Sequence, residues 1–156
     1  AFFLDAYAFS TEGIIGFTVG KKNKKSFLYV VKNSIQLSFF TALIISALYL
    51  FFFKDIINIF TDVEILRFIS YKHFIWIIVI PPVASFCYQL DGIFIGASQT
   101  KEIRNAMIVA VLIFIGISIY LTELFGNHGL WFSLLLFMIL RALTLQFYFK
   151  KILRKF

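Results

Sequence analysis

Five ionisable side chains lie inside stretches that are otherwise apolar, and their types limit the chemistry that this chain could perform. They are Asp5, Glu12, Lys32, Asp91 and Arg141. Charges in apolar surroundings either pair with one another or line a pathway on which a proton or a cation is exchanged. The sequence has no phosphate-binding loop, no G-x-S-x-G motif and no His/Cys/Glu cluster with metal-ligand spacing. We therefore predict neither an enzyme nor a metal or cofactor site.

The depth of these residues can be estimated by counting along the chain. Glu12, Asp91 and Arg141 each lie nine or ten residues before a basic residue of a basic cluster, which is about 14 Å along a helix. Lys32 follows a basic cluster by seven residues, or about 10 Å by the same rise. We therefore predict a charge-paired layer that sets the two acids against Arg141 and Lys32. The pairing could be purely structural, or one of the acids could also change its protonation during transport.

Asp5 falls outside this layer, because it lies two helical turns before Glu12 on the same helix face. The sequence offers it no evident basic partner. Its partner could lie in a part of the protein that precedes this chain, or the carboxylate could be solvated near the outer surface. An unpaired carboxylate inside a membrane is costly unless it holds a proton or a cation. Asp5 is therefore a candidate transport-pathway residue.

The composition identifies the solvent around these charges. Apolar residues make up 61% of the chain, charged residues make up 15%, and phenylalanine occurs 22 times. A soluble domain typically has about 45–50% apolar and about 25% charged residues, so a soluble fold could not bury this much apolar surface. The net charge is +7, but the basic residues cluster at the ends of apolar segments. That pattern is typical of membrane topology and argues against a nucleic-acid partner.

The apolar segments have the lengths of membrane-spanning helices. We predict an all-α, polytopic transmembrane helix bundle of about four and a half helices, over residues 1–19, 27–53, 62–98 with its membrane part from 72, 105–122 and 130–149. The links "GKKNKK" and "SQTKEIRN" and the C-terminal tail together carry ten basic residues on one side. The positive-inside rule places that side in the cytoplasm. We therefore predict a multi-pass protein of the plasma (inner) membrane with a cytoplasmic C-terminus.

Three local features of the sequence add detail to the predicted helices: a proline pair, a capping-box sequence and two histidines. Pro81 and Pro82 remove two backbone donors in the middle of a span, which predicts a kink and a candidate hinge. The "TDVE" stretch has capping-box spacing, with Thr61 as the expected N-cap of the third helix and Glu64 reaching back to it. His73 and His128 fall at segment ends, where an interfacial or surface histidine is the expectation.

Small residues at a spacing of four predict close helix contacts. Gly16 and Gly20 form one such pair, and Gly92 and Gly96 form another beside Asp91. Small residues at this spacing let two backbones approach each other. The backbones can therefore come together near that carboxylate.

Three ordered stretches together resemble one transporter family. "CYQLDGIFIGASQTKEIRNAM" resembles the end of the tenth helix and the following loop of MATE transporters of the DinF branch. "FLDAYAFSTEGIIGFTVGKKNKK" is similar to the eighth helix of that branch, and "FGNHGLWFSLLLFMILRALTL" to its last helix. The resemblance covers essentially the whole chain, and Asp5, Glu12, Asp91 and Arg141 match the pattern of the branch.

The resemblance implies a twelve-helix protein of two lobes, of which residues 1–156 would be most of the C-terminal lobe. It implies export of cationic or amphipathic compounds in exchange for protons or sodium ions. The implied partners are the small-molecule substrate, membrane lipid and the missing N-terminal lobe of the same protein. Two alternatives remain open: a lipid-linked oligosaccharide flippase of the same superfamily, and an inactive membrane fragment. The ion sites of relatives lie partly on helices that this chain lacks, so none is transferred to Asp91.

Overall fold

The computed structural model describes residues 2–156 as five α-helices, which confirms the all-α prediction. The helices are α1 (Phe2–Gly20), α2 (Lys24–Phe60), α3 (Glu64–Gly96), α4 (Thr100–Phe125) and α5 (Asn127–Leu153). By length and composition, α2, α3, α4 and α5 can each cross a membrane. The protein is therefore an integral membrane helix bundle.

Helix α3 lies at the centre of the bundle. It packs against α1, α2 and α5, while α4 packs mainly on α5. The larger buried core forms where α3 ends, around Phe27, Leu90, Phe94 and Leu145. On the outer faces, large apolar side chains such as Phe147 are exposed, as expected of a surface that faces lipid or another part of the protein.

Glycines on α3 allow α1 to approach closely. A Cβ atom at Gly92 would overlap the carbonyl of Ala8, and one at Gly96 would overlap the carbonyl of Glu12. On α1, Gly16 is in van der Waals range of α3, whereas Gly20 has no neighbour within 4 Å among the described residues. The small residues of α3 therefore position the acidic face of α1.

The link between α2 and α3 differs from the capping box expected there. Thr61 is the C-terminal cap of α2, in extended backbone, and its N–H donates to Ile57 O. Helix α3 begins at Glu64 after Val63, which makes no side-chain capping bond. Arg67 closes the link by donating from Nε to the Thr61 carbonyl over 2.8 Å. The prediction that Thr61 is the N-cap of α3 is wrong, because the extended backbone of Thr61 ends the preceding helix.

Non-helical backbone in the middle of a helix occurs in α2 and not at Pro81 and Pro82, where the sequence predicts a kink. Helix α3 continues through both prolines, whereas α2 contains a non-helical residue at Phe52, with φ −110° and ψ 15°. Pro82 cannot donate to the carbonyl of Ile78, and the Ser46 hydroxyl of α2 donates to that carbonyl instead, over 2.8 Å. The neighbouring helix thus satisfies a polar atom freed by proline. The hinge role of the two prolines stays a prediction.

The basic clusters meet at one end of the bundle. The Phe27 ring at the start of α2 packs against Phe149 and Phe156, with centroid distances of 6.0 and 5.0 Å. The Lys155 Nζ donates to the carbonyl of Ala97, just after α3. The start of α2, the end of α3 and the C-terminus therefore lie together. Which side of the membrane this end faces stays a prediction.

Candidate functional site

An ion pair in the bundle joins α3 to α5. The Arg141 Nη2 donates to the Asp91 Oδ2 over 2.5 Å, and the side chains are only 15% and 13% exposed. A charge-assisted bond of this kind is strong where water is scarce. The Asp91 Oδ1 and the Arg141 Nε are buried and have no hydrogen-bond partner among the described residues. The pair therefore retains capacity for a further polar contact.

Two more carboxylates lie on the same cavity as this pair. The cavity has a volume of about 250 Å³, and Asp5, Glu12, Asp91 and Arg141 line it together with Tyr88. Asp5 and Glu12 are half-buried, and within residues 2–156 neither joins an ion pair. We call this space the acidic cavity, because three carboxylates face one guanidinium. In the described part of the chain, no three His, Cys, Asp or Glu side chains are arranged to hold a metal ion.

The structure brings together only part of the predicted charge layer. Asp91 meets Arg141, whereas Lys32 is exposed on α2 and does not line the acidic cavity. Val31, its neighbour in sequence, is buried, and Lys32 lies about 100° further round the helix. Counting along a helix gives the depth of a side chain but not the direction in which it points. Among the described residues, Lys32 therefore does not form the pairing expected within the layer.

A larger cavity with an aromatic wall lies between α1, α2, α3 and α5. Its volume is about 580 Å³. We call it the aromatic cavity, because its lining includes Phe3, Tyr49, Trp76, Tyr88 and Trp131. Tyr88 lines the acidic cavity as well, so one side chain adjoins both spaces. Pro81 also lines the aromatic cavity, which places one of the two candidate hinge residues at its wall.

The sequence analysis did not single out these aromatic residues. The sequence did contain an indication of them, because a Tyr or Trp inside an apolar span carries a polar group that needs a hydrogen-bond partner. With 22 phenylalanines in the chain, however, aromatic content alone could not separate a cavity wall from a surface that faces lipid. The identity of the wall depended on how the helices pack.

The two histidines are neither isolated nor fully exposed. The rings of His73 on α3 and His128 on α5 are stacked, with centroids 4.4 Å apart and planes inclined by 26°. The Trp76 Nε1 donates to the His128 Nδ1 over 3.0 Å. The two rings therefore join the start of α5 to α3 beside the aromatic cavity. The sequence did not indicate this contact, because it joins two distant parts of the chain. The interfacial or surface location expected of the two histidines stays a prediction.

Comparison with known proteins agrees with this architecture. The MatE family model matches residues 1–122. DNA damage-inducible protein F of Escherichia coli (strain K12) is 34% identical over 145 residues, which cover 93% of this chain and 31% of that protein. The chain thus spans about a third of the length of this curated relative. None of the solved structures matches it. The chain belongs to the MATE family of membrane transporters, in the branch of DNA damage-inducible protein F.

Proposed function

We propose that the protein is a secondary active exporter of cationic or amphipathic compounds, driven by exchange for protons or sodium ions. Residues 1–156 would form most of its C-terminal lobe, with a cytoplasmic C-terminus in the inner membrane. The N-terminal lobe of the same protein would complete the pathway. The observation that carries this proposal is the acidic cavity, in which three carboxylates face one guanidinium.

The charge balance of this cavity supports cation exchange. Arg141 compensates Asp91, which leaves Asp5 and Glu12 without an ion-pair partner among the described residues. Carboxylates at such positions are costly when they are charged and uncompensated. Binding a proton or a cation removes that cost, and releasing it restores the cost. The two acids are therefore the residues that would load and unload the coupling ion.

The aromatic cavity supports the proposed class of substrate. Its volume of about 580 Å³ lies within the range of about 300–1,000 Å³ that is typical of pockets for small molecules. The faces of Trp and Tyr rings attract organic cations, and the apolar lining suits an amphipathic body. Since Tyr88 adjoins both cavities, filling one space can alter the other. This adjacency gives a physical route by which ion and substrate could exchange.

Alternating access would follow from rocking of the two lobes about a shared central cavity, as in other transporters built from repeats. Loading of Asp5 or Glu12 would favour one arrangement of the lobes, because only a difference in binding free energy between two states shifts their populations.

The test is efflux of a fluorescent amphipathic cation such as ethidium from proteoliposomes that contain the full-length protein. We expect an imposed proton or sodium gradient to accelerate efflux. Asp5→Asn and Glu12→Gln should each slow gradient-driven efflux at least about tenfold, equivalent to about 1.4 kcal/mol of lost coupling. Glu123→Gln is the matched control, because Glu123 is an exposed acid on α4 outside both cavities. It should transport within about twofold of the unmodified protein, well short of the tenfold loss.

Two results would overturn the proposal. Acceleration by neither gradient would exclude antiport, and full activity of both Asp5→Asn and Glu12→Gln would remove the acidic cavity from the mechanism. Translocation of a lipid-linked oligosaccharide probe without ethidium efflux would favour the flippase. Failure of the full-length protein to move either probe would favour an inactive protein.

A further inference from the structure

The hydrogen bond between Trp76 and His128 defines the protonation state of the histidine. An indole N–H can only donate, so the His128 Nδ1 that lies 3.0 Å away must accept and cannot carry a proton. The His73 Nδ1 lies 2.8 Å from the carbonyl oxygen of Ile69, which can only accept. His73 therefore donates from Nδ1, while His128 is held as a neutral ring with its proton on Nε2.

Protonation of His128 is incompatible with this arrangement. An imidazolium carries hydrogen on both nitrogens, so the acceptor of the Trp76 N–H would be lost. The stacked His73 ring, 4.4 Å away, would face a cation, and protonation of both rings would place two like charges against each other. The bond to Trp76 therefore exists only while His128 is neutral.

The charged groups at this end of the bundle do not stabilise a charged His128 directly. They are Asp5 on α1, Lys54 and Asp55 on α2, Asp62 in the link, Glu64, Arg67 and Lys72 on α3, and Glu123 on α4. Within residues 2–156, no carboxylate oxygen lies within 4.0 Å of a nitrogen of either imidazole. Arg67 is engaged with Asp62. The local response to acid is therefore set by the two rings and the indole.

Trp76 connects this bond to the aromatic cavity. Its side chain lines the cavity between α1, α2, α3 and α5, as do Trp131 and Met138 on α5. The bond from Trp76 to His128 fixes the indole against the first turn of α5. If the bond is lost, the indole is free to change its orientation, and the wall of the cavity changes with it.

We propose that His128 is a positioning residue, whose neutral imidazole holds the Trp76 indole in the wall of the aromatic cavity and whose protonation releases it. The proposal rests on the proposed function, because it takes this cavity as the compartment for the exported compound. In the predicted topology, this end of the bundle faces the outside of the cell. Protons that arrive from outside would then loosen the cavity wall on the side where the compound must leave.

The test follows the Trp76 indole directly by fluorine NMR of the full-length protein labelled with 5-fluorotryptophan. The Trp76 resonance is assigned by its disappearance in Trp76→Phe. As the pH falls from about 8 to about 5, the interval in which histidine titrates, the Trp76 resonance should move through a transition. In His128→Gln the side-chain oxygen still accepts a hydrogen bond but does not titrate, so the Trp76 resonance should stay constant.

His73→Phe is the matched control, because it keeps an aromatic ring on His128 and removes the second titrating group, together with the hydrogen bond of His73 to the Ile69 carbonyl. The transition of Trp76 should persist in this variant. His128→Asn serves the same purpose as His128→Gln should the latter fail to fold. A constant Trp76 resonance in the unmodified protein overturns the proposal, as does an unchanged transition in His128→Gln or His128→Asn.

A transport measurement separates positioning from a merely structural role. In proteoliposomes, the KM of the unmodified protein for ethidium should rise severalfold as the external pH falls, and His128→Gln should remove most of that rise. An equal pH dependence of KM in both proteins would contradict the proposal. The NMR experiment needs neither substrate nor gradient, so it can fail while efflux is intact, and it can succeed in a protein that does not transport ethidium.

Discussion

Two ion pairs of the bundle have the same length but very different surroundings. Asp91–Arg141 and Glu102–Lys151 each have an N···O distance of 2.5 Å. In the first pair both side chains are nearly buried, at 13% and 15% exposure, whereas in the second pair Glu102 is 5% exposed and Lys151 is 58% exposed. The first pair faces the acidic cavity, and the second ties the start of α4 to the end of α5. The role of an ion pair therefore depends more on the residues around it than on the N···O distance.

Removing one partner of an ion pair leaves the other charge alone. Asp91 or Arg141 left alone would be nearly buried and could not recover its hydration, whereas Lys151 left alone would keep most of its water. The buried pair also leaves the Asp91 Oδ1 and the Arg141 Nε without hydrogen bonds in the described part of the chain. We therefore expect the two pairs to respond very differently to substitution.

The largest effect is expected from Arg141→Gln. This change leaves the Asp91 carboxylate buried without a cation, and it should lower the free energy of unfolding by about 3–5 kcal/mol. The midpoint of SDS-induced unfolding of the full-length protein in mixed micelles measures this loss.

A second substitution identifies the partner of Arg141. Asp91→Asn should recover part of the stability lost in Arg141→Gln, because it removes the uncompensated charge. Glu12→Gln should not, because Glu12 lines the cavity without pairing with Arg141. Equal recovery by both substitutions would mean that the three groups share one network.

An intermediate effect is expected from Gly92→Ala. The added Cβ would overlap the carbonyl of Ala8 on α1, and the forced separation of α1 from α3 should cost about 1–3 kcal/mol. It should also slow ethidium efflux, since Asp5 and Glu12 would move away from Asp91. The Glu102–Lys151 pair lies elsewhere and should be unaffected.

Gly13→Ala is the matched control for Gly92→Ala. Gly13 lies on α1 with no atom within 4 Å of a Cβ among the described residues. SDS unfolding should give a stability at or slightly above that of the unmodified protein. A loss as large as that of Gly92→Ala would mean that glycine matters here for reasons other than close packing.

The smallest effect is expected from Glu102→Gln. The Lys151 ammonium that this change leaves behind is exposed and keeps most of its water, so the loss should be about 1 kcal/mol or less, and ethidium efflux should be close to normal. The same unfolding assay measures it. A loss comparable to that of Arg141→Gln would show that the two pairs do not differ in the way their surroundings indicate.

Much of the fold could be predicted from local properties of the sequence. Apolar segments of membrane-spanning length anticipated the five helices, and counting placed Asp91 and Arg141 at matching depths. The same counting grouped Lys32 with them, but Lys32 joins no ion pair among the described residues, because depth carries no information about rotation around the helix axis. The proline pair was expected to kink α3 and expose carbonyls, and Ser46 of a neighbouring helix donates to one carbonyl that proline leaves free. Sequence alone could not show that hydroxyl facing Ile78.

The sequence by itself determined the solvent, the helical class and the family to which the chain belongs. These properties depend on composition, segment length and motif order, all of which are local or can be read along one dimension. Only the tertiary structure decided that Arg141 meets Asp91, that Tyr88 adjoins two cavities and that His128 accepts a bond from Trp76. Such contacts depend on how each helix is rotated about its axis and where it packs against its neighbours. Close-packing residues such as Gly92 and Gly96 influence that placement by contacts with helices that are distant in sequence.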